Sequence, residues 1–255
     1  MNWESKTVLI TVKTYPNPSS KYIETVCCAG IDINSGQLIR LYPIPFRFLE
    51  YNQQFPKYSI VNIKCHKAPR DKRIESYRID QDSIKIIDRL DTKNKWSRRK
   101  KIVLPTASCS FCEIQSLVSK NKSLGVFKPC DISFSWKKKK LDDAAKREAI
   151  YAQLSFFDKR KNAVEQIPFD FYYQFKCHGA SNCPGHKLII IDWELGQSYR
   201  SWRDIYGTEK LLLGKIEERW LGGMCTDKHD TYFYVGNQHR FQDQFMVLGV
   251  FYPLK

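Results

Sequence analysis

The sequence contains no apolar run that approaches the ~20 residues of a membrane-spanning helix. Its start, Met-Asn-Trp-Glu-Ser-Lys-Thr, lacks the charged and then apolar pattern of a signal peptide. Apart from short lysine runs there is no low-complexity tract and no internal repeat, which excludes solenoid and linker-rich proteins. We therefore expect a folded cytoplasmic protein with no membrane partner.

Several signatures of enzymes are also absent. Neither G-x-x-x-x-G-K-[ST] nor G-x-G-x-x-G occurs, so a nucleotide-driven motor or a dinucleotide enzyme is not expected. There is no G-x-S-x-G elbow for an activated serine. Cys27 and Cys28 lie in an apolar segment, where burial raises the pKa of a thiol and makes it inert. Nucleophilic catalysis therefore has little support.

Acidic residues are few relative to basic ones. The chain has 27 Asp and Glu against 42 Lys and Arg, a formal net charge of +15. This excess favours a polyanionic partner, above all nucleic acid. A membrane surface is not favoured because no long amphipathic basic helix is present. With 255 residues, of which 42% are hydrophobic, the chain can form one large domain or two small ones.

Short apolar runs alternate with Gly, Pro, Asn and Asp over the first ninety residues and predict β-strands. The sequence Asn34-Ser35-Gly36 predicts a hairpin turn between the second and third of them. Five short strands at this spacing predict a small β-barrel, either OB-like or SH3-like. The predicted strands are 8–13, 24–31, 37–42, 58–65 and 83–87.

Helices and strands are mixed in the rest of the chain. We predict helices from Ser108 or Ser110 to about 120, from Asp142 to about 157, at 193–206 and at 208–221. Strands are expected at 131–136, 171–176, 188–191, 232–235 and 245–251. The predicted fold class is α+β: a β-barrel domain at 1–92, a basic linker or arm at 93–107, and an α+β domain at 108–255. A single fused domain is the alternative.

Metal ligands converge in one loop of the second domain. Cys177, Cys183 and His186 form a C-x5-C-x2-H array between two predicted strands. Zinc takes four tetrahedral ligands from thiolate and imidazole, so the array predicts a Zn²⁺ site that lacks one ligand. Cys109 and Cys112 are the candidates for the fourth; Cys112 would lie in the first turn of a helix, which lowers the pKa of a thiol. Ordinary buried thiols and a loop histidine are the alternative.

Two carboxylates stand two residues apart at the end of an apolar run. Asp192 and Glu194 fit the cation site of a metal-dependent nuclease, with Lys187 as the nearest lysine. That lysine precedes Asp192 by five residues, whereas a restriction-type site has one after the second acid. We favour the other interpretation, in which Asp192 caps a helix that begins at Trp193 and Glu194 complements its dipole.

Aromatic and basic residues are interleaved at several places. Bases stack on aromatic rings and phosphates pair with Arg or Lys, so this pattern is typical of proteins that bind single-stranded nucleic acid. For any single aromatic residue, packing in the core is the alternative. The candidate nucleic-acid-binding residues are Arg40, Tyr42, Arg47, Trp96, Arg98, Arg99, Lys100, Lys101, Lys137 and Lys138.

Five segments together resemble a family of uncharacterised bacterial cytoplasmic proteins. They are Glu24-Thr25-Val26-Cys27 with Ala29-Gly30-Ile31, Arg40-Leu41-Tyr42-Pro43-Ile44-Pro45-Phe46-Arg47, the Cys177/Cys183/His186 loop, Asp192-Trp193-Glu194, and Gly249-Val250-Phe251-Tyr252-Pro253. The resemblance covers nearly the whole chain. It implies a zinc-type loop and favours Cys112 as the fourth ligand, and it implies no activity and no catalytic residue.

The sequence therefore predicts a basic, zinc-containing protein that binds DNA or RNA mainly through phosphates. Two alternatives stay open: a metal-dependent nuclease that uses Asp192 and Glu194, and a subunit that docks an acidic protein partner.

Overall fold

The computed structural model describes residues 2–19, 23–141 and 164–255 of the chain. The helix predicted from Asp142 to about Phe157 therefore lies outside the described residues. The strands of the N-terminal part are β1 (Glu4–Lys13), β2 (Asn17–Ser19), β3 (Ile23–Asp32), β4 (Leu38–Ile44), β5 (Ser59–Lys67), β6 (Ser76–Ile79) and β7 (Lys85–Arg89).

Five of these strands close into a barrel. β1 pairs with β3 and β5, β4 pairs with β3 and β6, and β6 pairs with β5. In chain order the ring runs 1-2-3-5-4, and its third and fifth strands are parallel. This is the strand order of an OB-type barrel, one of the two types expected from the sequence. The predicted β-barrel is confirmed.

The strand that completes the ring is not the fifth one predicted. β6 has four residues and its sequence, Ser-Tyr-Arg-Ile, carries only a weak strand pattern, so the sequence analysis missed it. The predicted fifth strand forms β7, which pairs with residues 59–62 of β5 outside the closed ring.

β1 explains how the barrel joins the rest of the protein. Val8 and Ile10 point into the barrel, whereas Leu9 and Val12 pack in a second core against the C-terminal sheet. A register shift between Ile10 and Val12 marks a bulge in the pairing with β3. Because both faces of residues 8–12 of β1 are buried, this part of the strand, Val-Leu-Ile-Thr-Val, is a nearly continuous apolar run rather than an alternating one.

The C-terminal part is a mixed sheet with helices. Its elements are α1 (Lys93–Val103), β8 (Ala107–Ser108), α2 (Phe111–Ser116), β9 (Leu124–Phe127), β10 (Pro129–Lys138), β11 (Phe169–Cys177), β12 (His186–Ile190), α3 (Trp193–Tyr206), α4 (Glu209–Glu217), β13 (Tyr232–Asn237) and β14 (Phe245–Phe251). The seven described strands are ordered β10-β11-β12-β14-β13-β9-β8. The predicted α+β class is confirmed.

The sheet lies between the barrel and the helices α3 and α4. One face packs on the barrel through Val126, Tyr234 and Phe251. The core on the other face includes Tyr173 of β11, Leu195 of α3 and further residues of α4. Both helices begin where the sequence predicts, because Asp192 and Thr208 accept hydrogen bonds from first-turn amides.

The segment predicted as a basic linker or arm contains helix α1. Asn94, Lys95 and Trp96 adopt left-handed backbone angles, and the right-handed turns follow them. The Trp96 ring lies 4.9 Å from that of Tyr252, centroid to centroid, so the segment packs on the end of β14. In the part of the chain that the structure describes, no helix is long and apolar enough to cross a membrane.

Candidate metal centre and nucleic-acid interface

One helix, two strands and the loop between these strands bring four potential metal ligands together. Cys112 lies in the first turn of α2, Cys177 ends β11, Cys183 lies in the connecting loop and His186 begins β12. Their ligand atoms all lie within 4.8 Å of one another. The cluster can therefore hold one metal ion. It consists of the four residues expected from the sequence, with Cys112 rather than the exposed Cys109 as the fourth.

The distances within the cluster are those of a compact site. The Sγ atoms of Cys112 and Cys177 are 3.8 Å apart. The Nε2 atom of His186 lies 3.2 Å from the Sγ of Cys112 and 3.2 Å from the Sγ of Cys183. The backbone N–H of Cys177 donates to the Sγ of Cys183 at 3.3 Å, which fixes the loop against the end of β11.

Metal ligands must be deprotonated, so the pKa values of Cys112 and His186 bear on whether the cluster can bind a cation. Burial and the neighbouring thiols Cys177 and Cys183 raise the pKa of Cys112 to about 12. The expected lowering by the helix N-terminus is outweighed, because α2 has only six residues and two other thiols adjoin it. Burial lowers the pKa of His186, which keeps its imidazole neutral and able to bind metal.

Asp192 is held by a lysine that the sequence analysis did not identify. Both of its carboxylate oxygens accept from Lys57 Nζ, at 2.8 and 2.7 Å, and Glu194 lies 3.3 Å from the same ammonium. Asp192 also accepts from the backbone N–H of Glu194 at 2.9 Å, which is the predicted cap. The ammonium lies where a nuclease would hold its cation, so the geometry favours a structural role.

The three candidate catalytic side chains do not form one site. Asp192 is buried, whereas the side chain of Glu194 is exposed. Lys187 lies on β12 with its Nζ 4.8 Å from the ring centre of Tyr172, on the partner strand β11. Burial raises the pKa of Asp192 to about 6, although the ammonium of Lys57 acts to lower it. The contact of both oxygens with the Lys57 ammonium favours the ionised carboxylate.

Two of the predicted nucleic-acid-binding arginines are buried. The guanidinium of Arg40 donates to the carbonyls of Ser123, just before β9, and Asn237, the last residue of β13. Arg99 donates twice to the carbonyl of Leu90, and aromatic side chains cover its guanidinium. Both guanidinium groups are buried and bind carbonyl groups inside the protein, so neither is available to a phosphate at the surface.

The other predicted residues are spread over the surface. Four contact a neighbour: Arg47 with Glu24, Arg98 with Asp88, Lys100 with the Leu254 carbonyl and Lys138 with Glu209. Lys101 and Lys137 are exposed, and Trp96 is half-buried against β14. Of the two predicted aromatic residues, Tyr42 on β4 is the more exposed, with 44% of its surface accessible to solvent.

A buried polar network fixes the barrel to the second sheet beside Tyr42. Glu75 accepts from the backbone N–H groups of Ser123 and Leu124 at 2.8 and 3.3 Å. Arg73 donates to the carbonyl of Asn237 at 2.8 Å, in the last residue of β13. These charged groups are buried and have partners, so they hold the two parts in one orientation.

This junction forms a basic cleft of about 360 Å³. One wall is Tyr42 with Arg78 of β6 and Arg70 of the loop between β5 and β6; the other is the loop at His239 and Arg240. Among the described residues, no side-chain partner is found for Arg70, Arg78 or Arg240. The imidazole of His239 donates to the carbonyl of Arg70 at 3.0 Å and ties the two loops together.

Sequence reasoning missed this cleft. The run Arg70-Asp71-Lys72-Arg73 indicates a local concentration of basic residues in the sequence. Arg240, however, lies 170 positions after Arg70, and only the fold brings the two side chains to the same cleft.

Two families match the chain. Residues 4–105 match the family described as a domain of unknown function (DUF8758), and residues 107–255 match one described as a domain of unknown function (DUF8757). No curated protein matches. The two matches are adjacent, and their boundary falls in the short turn between α1 and β8. They agree with the resemblance to an uncharacterised family and carry no activity with them.

Proposed function

We propose that this chain, which belongs to the family of the domain of unknown function DUF8757, is a zinc-containing protein that binds single-stranded DNA or RNA. The cleft between Tyr42 and Arg240 is the observation that carries the proposal. We place the protein in the bacterial cytoplasm, as the resemblance implies, where the cluster thiols would stay reduced.

The position of the cleft on the barrel supports this function. OB-type barrels bind oligonucleotides on the face of their second and third strands and through the loop between the fourth and fifth. Here the third barrel strand is β4, which carries Tyr42, and the corresponding loop carries Arg70. The cleft therefore lies where the barrel type predicts a strand of nucleic acid.

The chemistry of the cleft favours a single strand over a duplex. Tyr42 is exposed, and Phe241, next to Arg240, has 56% of its surface exposed. Exposed rings provide platforms on which unpaired bases stack, and partner-free guanidinium groups beside them pair with phosphates. A duplex keeps its bases stacked and would use the arginines alone.

The experiment is fluorescence anisotropy with labelled 12-nucleotide single strands and a duplex at low salt. The double variant Arg78→Gln/Arg240→Gln should weaken single-strand binding by at least about tenfold. The control Lys64→Gln/Lys85→Gln removes the same charge from exposed positions of β5 and β7 and should have little effect. Equal weakening in both variants would contradict the cleft.

The same samples separate the two alternatives. If no nucleic acid binds at low salt, the protein is better explained as a subunit that docks an acidic partner. If added Mg²⁺ produces cleavage that Glu194→Gln abolishes, the acidic pair is a nuclease site.

We propose zinc as the metal of the Cys112/Cys177/Cys183/His186 cluster. Zn–S bonds of about 2.3 Å in a tetrahedron place two sulfurs about 3.8 Å apart. The sulfurs of Cys112 and Cys177 are 3.8 Å apart. The four ligands close the coordination shell, as in structural zinc sites, and the ion would supply the positive charge that deprotonates the clustered thiols.

Metal analysis of the purified protein tests this assignment. We expect one zinc per chain, and Co²⁺ substitution should give the absorption of a tetrahedral thiolate site. Cys183→Ser should lose the metal, whereas Cys109→Ser, whose thiol is exposed and lies outside the cluster, should retain it. A folded protein that contains no metal would contradict the assignment.

A further inference from the structure

A second groove lies between the barrel and α3, and it is independent of the basic cleft. Its volume is about 590 Å³, within the range of sites for small ligands. Three of the six tryptophans of the chain line it: Trp96 of α1, and Trp193 and Trp202 of α3. Such a concentration of flat rings suits a planar aromatic ligand.

A buried ammonium also lines this groove. Lys13 is only 8% exposed, and in the described structure its one hydrogen bond runs to the carbonyl of Phe55 at 3.1 Å. Its Nζ otherwise lies over the rings of Phe46 and Trp193, at 4.1 and 5.3 Å from their centres. The neighbouring Lys57, by contrast, is paired with Asp192.

Lys13 is therefore a buried cation without an ion pair among the described residues. Its burial lowers its pKa, which reflects the missing counter-charge. An ammonium has three donors, and only one is used here. A buried charge with unused donors is costly unless an anion compensates it.

The backbone beside the groove is strained. Tyr58, Asn94, Lys95 and Trp96 all have φ between 49° and 63°, a left-handed conformation that bulky residues rarely adopt. Tyr58 and Trp96 are themselves lining residues. Strain of this kind persists where the surrounding structure enforces it, and it is concentrated at functional sites.

We propose that this groove binds a nucleoside monophosphate, with its base against the tryptophans and its phosphate on Lys13. Arg89, exposed at the groove, offers a second cation for the phosphate. The carboxylate of Glu194, also at the groove, can accept hydrogen bonds from ribose hydroxyls. The ligand can be a free nucleotide or the 5′-phosphorylated end of a strand, since both present the same base and phosphate.

Isothermal titration calorimetry with adenosine 5′-monophosphate, adenosine and a 5′-phosphorylated trinucleotide tests the proposal. The monophosphate should bind at least about tenfold more tightly than adenosine, because charge-assisted bonds to phosphate are lost in the nucleoside. Lys13→Gln should remove that preference for the monophosphate. The two sources of the ligand are compared in the Arg78→Gln/Arg240→Gln protein, where binding to the basic cleft is weakened: a trinucleotide that binds more tightly than the monophosphate there identifies the strand end as the ligand, and the reverse order identifies the free nucleotide.

A second variant tests the groove even if Lys13→Gln does not fold. Ser201 lies exposed on α3 and lines the groove, so Ser201→Trp should fill it without disturbing the core. We expect at least a tenfold loss of monophosphate binding. Ser119→Trp, at an exposed site outside the groove, should bind normally. The proposal is overturned if neither nucleotide binds the Arg78→Gln/Arg240→Gln protein, or if Ser201→Trp binds the monophosphate as well as Ser119→Trp does.

Discussion

Replacing Asp192 by Asn separates two roles of this side chain. Asn keeps an oxygen that can accept from the first-turn amide of α3, so a residue that is only a helix cap would tolerate the change. In the structure Asp192 also binds the buried ammonium of Lys57 through both oxygens, at 2.7 and 2.8 Å. Asn removes that charge and leaves the ammonium without its main partner.

The expected loss of stability follows from the burial of this pair. Breaking a buried ion pair by removing one partner costs about 3–5 kcal/mol. Glu194 stays 3.3 Å from the ammonium but is exposed, so it compensates only in part. We therefore expect Asp192→Asn to lower the free energy of unfolding by about 3 kcal/mol. For a chain of this size that corresponds to a fall in melting temperature of roughly 6–12 °C.

A double-mutant cycle supplies the assay. Thermal and urea unfolding are measured for Asp192→Asn, Lys57→Met and the double variant. The double variant should recover most of the loss, because it removes both charges and keeps the cap. An Asp192→Asn variant as stable as the wild-type protein would refute the contribution of the buried ion pair to stability. A raised melting temperature would indicate relief of carboxylate repulsion, as at a cation site.

Two further predictions concern packing and acid stability. Gly196→Ala in α3 should lower stability by about 1–3 kcal/mol, since a Cβ there would lie 2.3 Å from the ring of Tyr15. At Gly214 in α4 a Cβ would meet open space, so Gly214→Ala should raise the free energy of unfolding by up to about 1 kcal/mol. Urea unfolding midpoints measure both variants, and an equal change in stability for the two would contradict the packing at Gly196. Although partial burial opposes its charge, Arg73 lowers the pKa of Asp71 from 3.8 to about 2. This stabilisation is complete above about pH 5 and is lost progressively as the pH falls through about 2, so Asp71→Asn should cost about 1 kcal/mol at pH 7 and only a small part of that at pH 2; a constant difference across pH-dependent unfolding curves would contradict it.

Local patterns predicted the elements with clear sequence periods. The helix at Trp193–Tyr206 and the strand at Phe245–Phe251 were predicted with the bounds found in the structure. In both cases a long periodic or apolar run carries the signal, and a capping residue begins the helix. The metal cluster was also predictable, because three of its ligands lie within ten residues of one another.

Contacts between segments that are distant in the chain could not be predicted from local sequence patterns. β6 has four residues and is a strand because β4 and β5 provide partners on both sides. Nothing in the sequence around Lys57 distinguishes it from a surface lysine, and only the fold places it against Asp192, 135 residues away. The basic cleft likewise depends on two loops, and no local pattern indicates that they meet.

The salt dependence of single-strand binding tests the central claim most directly. For single strands the slope of log K against log salt is about −0.7 per phosphate neutralised. If Arg70, Arg78 and Arg240 each neutralise one phosphate, replacing all three by Gln should make the slope shallower by about 2. The matched variant with Lys64, Lys85 and Lys228 replaced by Gln should keep the wild-type slope. An unchanged slope in the arginine variant would contradict binding in the cleft.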